Sequence, residues 1–189
     1  MKQLVDYMVA ALVLLLCCPL LLYIAIRIRT QGAGSVFYQQ ERLGKGGVPF
    51  RMVKFRTMVT GAEDGTPLLA VSDDQRVTAF GRTLRKHHLD ELPQFWNVLK
   101  GDMSIVGPRP ERAWFVQQIL EKTPDYKRIF NLKPGITSLG MVKFGYANTI
   151  EKMIERSRYD LYYLEHYSFW LDVKILLATV REVWIGKGI

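Results

Sequence analysis

From Tyr7 to Ile26 the chain runs for 20 residues without a charge, YMVAALVLLLCCPLLLYIAI. A helix needs about 20 predominantly apolar residues to cross the hydrocarbon core of a bilayer, so this run constrains the architecture more than any other feature. A cleaved signal peptide fits poorly: the run exceeds the usual ~7–15-residue apolar region. Arg27 and Arg29 also stand where a small-residue cleavage site belongs. A buried core helix is the competing reading, but cores rarely need so many consecutive apolar positions. Only Lys2 precedes the run, whereas Arg27, Arg29, Arg42, Lys45, Arg51, Lys54 and Arg56 follow it. The positive-inside tendency therefore places everything beyond Ile26 in the cytoplasm.

Pro19 interrupts the run. It lacks an N–H, and its ring clashes with the carbonyl of Leu15 four residues back, so the helix is expected to kink or break there. Two topologies follow. A kinked helix crosses the bilayer and leaves a six-residue stub outside; alternatively, a helix–break–helix enters and returns, with both ends cytoplasmic. Non-helical backbone inside a bilayer must satisfy its freed polar groups, and the residues alone leave both topologies open. Cys17 and Cys18 are the chain's two cysteines. They read as small apolar residues, with palmitoylation a minor alternative, and as neighbours they exclude a disulfide scaffold.

Beyond Ile26 lie 163 residues without repeats or low-complexity tracts, a length that suits one compact domain. Over the whole chain 49% of residues are apolar, enough for a core and too many for a disordered chain. There are 26 Lys and Arg against 18 Asp and Glu, a formal net charge of +8. That excess favours an anionic partner, whether nucleic acid, phosphorylated ligand or acidic lipid, without choosing among them. The mean hydropathy of +0.02 averages an apolar run and a basic domain.

Val36 to Gln40 and Pro49 to Met58 read as strands flanking the Gly-rich turn LGKGGV, hence a small hairpin. Val59 to Ser72 reads as a loop. Ser72 and Gln75 have capping-box spacing, and Val77, Phe80 and Leu84 then recur at helical spacing. Leu89, Leu92, Phe95, Trp96 and Leu99 predict a helix from about Asp90 to Gly101, with Pro93 in its first turn and Gly101 just past its end. Further helices are predicted over Glu111–Lys122, Ile150–Leu164 and Phe169–Trp184, with a turn at Lys133-Pro-Gly. In the last of them Trp170, Val173, Leu177 and Trp184 lie on or near one face. A core helix and an interfacial helix both satisfy that pattern.

Several motifs are missing: there is no GxxxxGK[ST], HExxH or CxxC, and adjacent His87 and His88 are poorly spaced for one metal. What stands out is the polar block from Arg82 to Arg112, RTLRKHHLDELPQFWNVLKGDMSIVGPRPER. Asp90 and Glu91 sit together at a predicted helix start, where an acidic pair has a simple capping role. The surrounding cations add a second reading. Arg85, Lys86, Arg109 and Arg112 share the block, and Lys54 and Arg56 lie on the predicted hairpin. Cations beside a helix N-terminus suit phosphate groups. A carboxylate held there can attack phosphorus if cations offset the repulsion, and two neighbouring carboxylates suit Mg²⁺ bound jointly with substrate phosphates. Gly107-Pro-Arg-Pro presents Arg109 between two prolines with little backbone freedom.

These residues resemble the bacterial sugar transferases, in particular the small monotopic phosphoglycosyl transferases. The resemblance rests on KFRTM (Lys54 to Met58), FGRTLRKHHLDELPQFWNVLKGDMSIVGPRP (Phe80 to Pro110), KPGIT (Lys133 to Thr137), YDLYYLEHYSFWLDVKIL (Tyr159 to Leu176) and the N-terminal apolar helix. It implies transfer of a sugar-1-phosphate from a UDP-sugar to undecaprenyl or another polyprenol phosphate, releasing UMP, in the initiating step of exopolysaccharide or glycoconjugate synthesis. By the same resemblance Asp90 is the nucleophile that forms a covalent phosphosugar intermediate, and Glu91 assists it with Mg²⁺. Lys54, Arg56, Arg85 and Arg109 match cationic positions near the phosphates or nucleotide. Cys18-Pro19 matches the family's re-entrant break, which favours the returning topology. The segment Ser138 to Asn148 departs from the pattern: Tyr146 stands near the place of an arginine, so a different sugar or nucleotide contact is expected.

The expected architecture is thus α+β and mostly helical. Residues 1–30 form a re-entrant membrane helix. Residues 31–189 form a cytoplasmic catalytic domain with a small β-hairpin and amphipathic interfacial helices, at the bacterial cytoplasmic membrane. Membrane lipid, a UDP-sugar and a polyprenol phosphate are the expected partners, and nucleic acid is not. The rival readings are a membrane-tethered basic protein that binds acidic lipid or nucleic acid, and a polyprenyl diphosphate hydrolase.

Overall fold

The computed structural model describes residues 2–62 and 74–186. The apolar run folds as two helices, α1 (Lys2–Leu16) and α2 (Cys18–Arg29), bent by 62° at Cys17. The break lies just ahead of the Cys18-Pro19 pair named from the sequence, because proline is acceptable in the first turn of a helix. Cys18 and Pro19 therefore open α2. Among the described residues no single helix is long and apolar enough to cross a membrane; the bent pair together is.

Both ends of this pair rest on the rest of the molecule. At the start of α1, Asp6 and Ala10 are buried, Lys2 Nζ lies 2.6 Å from Asp172, and Asp6 accepts a 2.6 Å hydrogen bond from the Ser104 hydroxyl. At the end of α2, Ile24 and Ile28 pack with Phe55 and Leu84. Between them the bend is bare: Leu15 is 73% and Leu16 70% exposed.

The hairpin follows as β1 (Phe37–Leu43) and β2 (Pro49–Phe55), antiparallel with Phe37 opposite Phe55 and Leu43 opposite Pro49. Gly46 and Gly47, both at φ 73°, make the turn between them. Met58 then bridges Val77. The loop expected over Val59–Ser72 and the capping residue Ser72 fall largely or wholly outside the described residues. Gln75 lies in a turn, and α3 (Ala79–Lys86) starts later than that capping pattern suggests. Thr78 caps it, its hydroxyl accepting from the Gly81 N–H at 3.0 Å.

The helix predicted from Asp90 divides in two. Leu89–Glu91 forms a 3-10 turn, and α4 (Gln94–Lys100) begins after Pro93. His88, at φ 53°, redirects the chain between α3 and that turn. Gly101 ends α4 in the left-handed conformation, as expected. Asn97 fastens α4 to the hairpin: its amide donates to the Arg51 carbonyl at 2.8 Å and its oxygen accepts the Val53 N–H at 3.0 Å. The acidic pair is thereby set against the end of β2.

A second sheet went unread in the sequence. It pairs β3 (Ser104–Val106) in parallel with a later strand, β4 (Gly135–Thr137), which stands where only a turn is expected. Between them come α5 (Ala113–Lys122) and a long 3-10 segment, Pro124–Asn131. Each strand has three residues, too few for alternation to show. At the end of β3, a Cβ on Gly107 or Gly135 would run into the neighbouring backbone, so both positions require glycine. The chain closes with α6 (Leu139–Lys143), α7 (Ile150–Glu165) and α8 (Phe169–Ile185), the last two close to their expected bounds. One apolar core gathers Ala10, Met52, Val98, Met103, Val106 and Ile175; a second gathers residues of α5, the 3-10 segment and α7. The outer face of α8 is not core, for Trp170, Leu177 and Trp184 are 71%, 68% and 87% exposed. The mostly helical α+β expectation holds.

Candidate active site

The hairpin, the 3-10 turn and the loop after β3 converge on a cavity of about 440 Å³, within the range of small-molecule sites. Lys54, Arg56, Arg85, Asp90, Glu91 and Arg109 all line it. The sequence scattered these residues over 56 positions; the fold gathers them.

Glu91 is already matched by cations. Lys54 Nζ lies 2.5 Å from its Oε1, and the Arg109 guanidinium 3.8 Å from the same oxygen. Burial pushes the Glu91 carboxyl up, but Lys54 and Arg109 outweigh it and hold the group well below the usual glutamate range. Asp90 is in the opposite state. It is buried, and no hydrogen bond from a described residue reaches its carboxylate. Burial, together with the like charge of Glu91, raises its pKa despite Lys54 and Arg85 nearby. Neither acid caps α4, whose capping position is Pro93; the simple capping role does not account for the pair.

The cations differ in how free they are. Arg85 Nε donates to the Thr57 hydroxyl at 2.9 Å, which aims the guanidinium from the last turn of α3 into the cavity wall. Arg56 is the least available: it donates to the carbonyls of Ala33 at 2.7 Å and Ile28 at 3.4 Å, tying the hairpin to the chain leaving α2. Arg109 is supported from behind by residues that sequence reasoning passed over. Its N–H donates to Asp160. Glu111 beside it takes Arg42 at 3.1 Å and Arg156 at 2.5 Å. Burial opposes the Arg109 charge, yet Glu91, Glu111, Tyr146 and Asp160 hold its pKa above the ordinary value. Glu111 stood in the polar block and Asp160 in the matched tail, but nothing in their spacing marked them as support for Arg109. Tyr146 and Met141, from the divergent segment, also line the cavity.

Asp90 and Glu91 are the residues that would hold Mg²⁺. Among the described residues no cluster of three or more His, Cys, Asp or Glu could bind a metal unaided. Two carboxylates fit an ion that takes its remaining ligands from substrate phosphates and water.

The model of the bacterial sugar transferases matches residues 1–186. The chain belongs to the bacterial sugar transferase family. Similar members include a UDP-N-acetylgalactosamine-undecaprenyl-phosphate N-acetylgalactosaminephosphotransferase of Aeromonas hydrophila, 40% identical over 99% of this chain and 44% of the relative. A UDP-glucose:undecaprenyl-phosphate glucose-1-phosphate transferase of Klebsiella pneumoniae is 42% identical, over 99% of this chain and 41% of the relative. This bacterial sugar transferase thus spans less than half the length of these two relatives. It covers 90% of an uncharacterized sugar transferase, EpsL, of Bacillus subtilis, at 40% identity.

Proposed function

We propose that the chain transfers a sugar-1-phosphate from a UDP-sugar to undecaprenyl phosphate and releases UMP. The observation that carries this is Asp90: a buried carboxylate that takes no hydrogen bond from the described residues, on a cavity ringed by Lys54, Arg85 and Arg109. Cations without a matching number of free carboxylates suit a diphosphate, and a desolvated carboxylate is a competent nucleophile once that diphosphate is bound. Relatives named as UDP-sugar:undecaprenyl-phosphate transferases support the same reading.

In the first step an Asp90 oxygen bonds to the β-phosphorus of the UDP-sugar, and the bond from that phosphorus to the bridging oxygen breaks. UMP leaves with the electron pair. In the second step an oxygen of undecaprenyl phosphate attacks the same phosphorus, and Asp90 departs as carboxylate. Lys54 holds Glu91 charged, and Arg109 and Arg85 neutralise the phosphates in both steps. Mg²⁺, when held by Asp90 and Glu91, supplies further charge neutralisation on the phosphates.

The lipid substrate calls for a membrane site. The bent α1–α2 pair enters the cytoplasmic leaflet of the bacterial inner membrane and returns, with the catalytic domain facing the cytoplasm. Support comes from its bare apolar bend and from both ends resting on one body. The exposed aromatic face of α8 suits the same interface.

Asp90→Asn tests the chemistry. UMP release from a panel of UDP-sugars with undecaprenyl phosphate is expected to stop, and the hydroxylamine-sensitive phosphosugar adduct formed without lipid acceptor should vanish with it. Undiminished turnover would refute the nucleophile. Topology is tested by Gln3→Cys in a chain with Cys17 and Cys18 replaced by alanine: an impermeant thiol reagent applied outside the cell should not label it.

A further inference from the structure

We propose that Asp160 is the positioning residue that sets Arg109 and the start of α6 as one wall of the cavity. This rests on the transferase reading of that cavity. Asp160 lies on α7 and is only 3% exposed. It divides its two oxygens between two segments: Oδ2 accepts the Arg109 N–H at 3.2 Å, and Oδ1 accepts the Gly140 N–H at 2.9 Å.

The first of these bonds has unusual leverage. Pro108 and Pro110 flank Arg109 and have no N–H, so the Arg109 amide is the sole backbone donor of that triplet. Wherever its acceptor lies, the loop must follow. The side chain that leaves this anchored backbone reaches to 3.8 Å from Glu91. The second bond fixes the opposite segment. A Cβ on Gly140 would meet the Arg156 side chain at 2.8 Å and Asp160 Oδ1 at 3.0 Å, so only glycine lets the backbone approach. Met141, next in the chain, lines the cavity with Arg109. Asp160 itself is not among the described cavity-lining residues. It acts through Arg109 rather than on substrate. Asparagine has nearly the same shape but keeps one acceptor oxygen and turns an NH₂ group toward the other amide, so it releases one segment.

A double-mutant cycle on the full chain tests this. Asp160→Asn is expected to lower kcat/KM for the UDP-sugar about tenfold in the wild-type background, mainly through KM, and less than about twofold in an Arg109→Ala background. Equal losses in both backgrounds would overturn the proposal, since they would mark a general effect on folding. Amide exchange at Arg109 and Gly140 is read in parallel and is expected to accelerate at one of the two in Asp160→Asn; unchanged protection at both would also overturn it. Should the wild-type chain release no UMP from any UDP-sugar, the transferase reading fails, and the exchange measurement still decides the placement. If Asp160→Asn does not fold, Asp160→Glu, which keeps the charge but shifts both acceptor oxygens by one methylene, takes its place. A loss of about threefold that disappears with Arg109→Ala supports the proposal, and an equal loss in both backgrounds refutes it.

Discussion

The cavity around Asp90 and the surface formed by the α1–α2 bend and α8 depart from ordinary burial in opposite directions. In the cavity, charged groups are withdrawn from water: Asp90 is buried, and Lys54, Arg109 and Glu91 are mostly so. At the surface, leucines and tryptophans are left out: Leu15, Leu16, Trp170 and Trp184 are each at least 70% exposed. Soluble proteins normally bury such apolar groups and solvate such charges. Each region is therefore incomplete alone, and each names its missing component. Under the proposed function, the withdrawn cations take the substrate diphosphate and the bare apolar bend takes lipid. A reaction that moves a sugar-1-phosphate from a nucleotide diphosphate to a lipid phosphate needs both in one small fold.

The two regions separate most sharply on activity. Asp90→Asn should reduce UMP release by about 10³-fold or more while leaving membrane association unchanged by flotation. The next largest effect belongs to the other region. Leu16→Asp places a charge at the bend, at a cost of about 2.5–3.5 kcal/mol, and should lower vesicle binding by about 100-fold. UDP affinity in detergent should be preserved; a loss of nucleotide binding would show that the regions are not independent.

A smaller effect follows from Lys54→Met, which leaves the more distant Arg109 as the remaining ion pair of Glu91 among the described residues. Breaking a mostly buried pair from one side should cost about 2 kcal/mol, or about 4–8 °C in Tm. The carboxyl of Glu91 is held low by cations, so its contribution to stability is present above the ordinary glutamate pKa and is lost as pH falls through its folded value. The deficit of Lys54→Met should therefore shrink in acid.

The smallest shift has the opposite sign. Asp90 is held above its ordinary pKa, so its neutral form is favoured by folding; that contribution is present below the unfolded value and lost as pH rises through the folded one. At neutral pH without Mg²⁺, Asp90→Asn should then raise Tm by about 2–4 °C, as expected where an active-site group is kept at the expense of stability. The gain should fade below the ordinary value of 3.8. A fall in Tm at neutral pH would show that Asp90 stabilises the fold and weaken its reading as a reserved nucleophile.

Much of this was written locally. The uncharged run from Tyr7 to Ile26, Pro19 within it, the Gly-rich hairpin turn, Gly101 and the stripes of α7 and α8 are short-range signals of period, cap and breaker, and the fold follows them closely. The acidic pair and its cations were also legible, because they cluster in one block and one strand. What escaped notice depends on distance. Strands β3 and β4 have three residues each and exist only because Gly107 and Gly135 allow two backbones to meet. The docking of α4 against the hairpin depends on Asn97, which accepts the Val53 amide from 44 residues away.

By itself, then, the sequence determined the apolar bend, the helices and the residue types of the site, since these are properties of neighbours along the chain. It could not decide that Lys54 would pair with Glu91 while Asp90 takes no hydrogen bond from the described residues, that Arg56 would be spent on carbonyls near α2, or that Asp160 would anchor Arg109. Those are differences in desolvation and hydrogen bonding between identical residue types, and such differences arise only when distant segments are packed together.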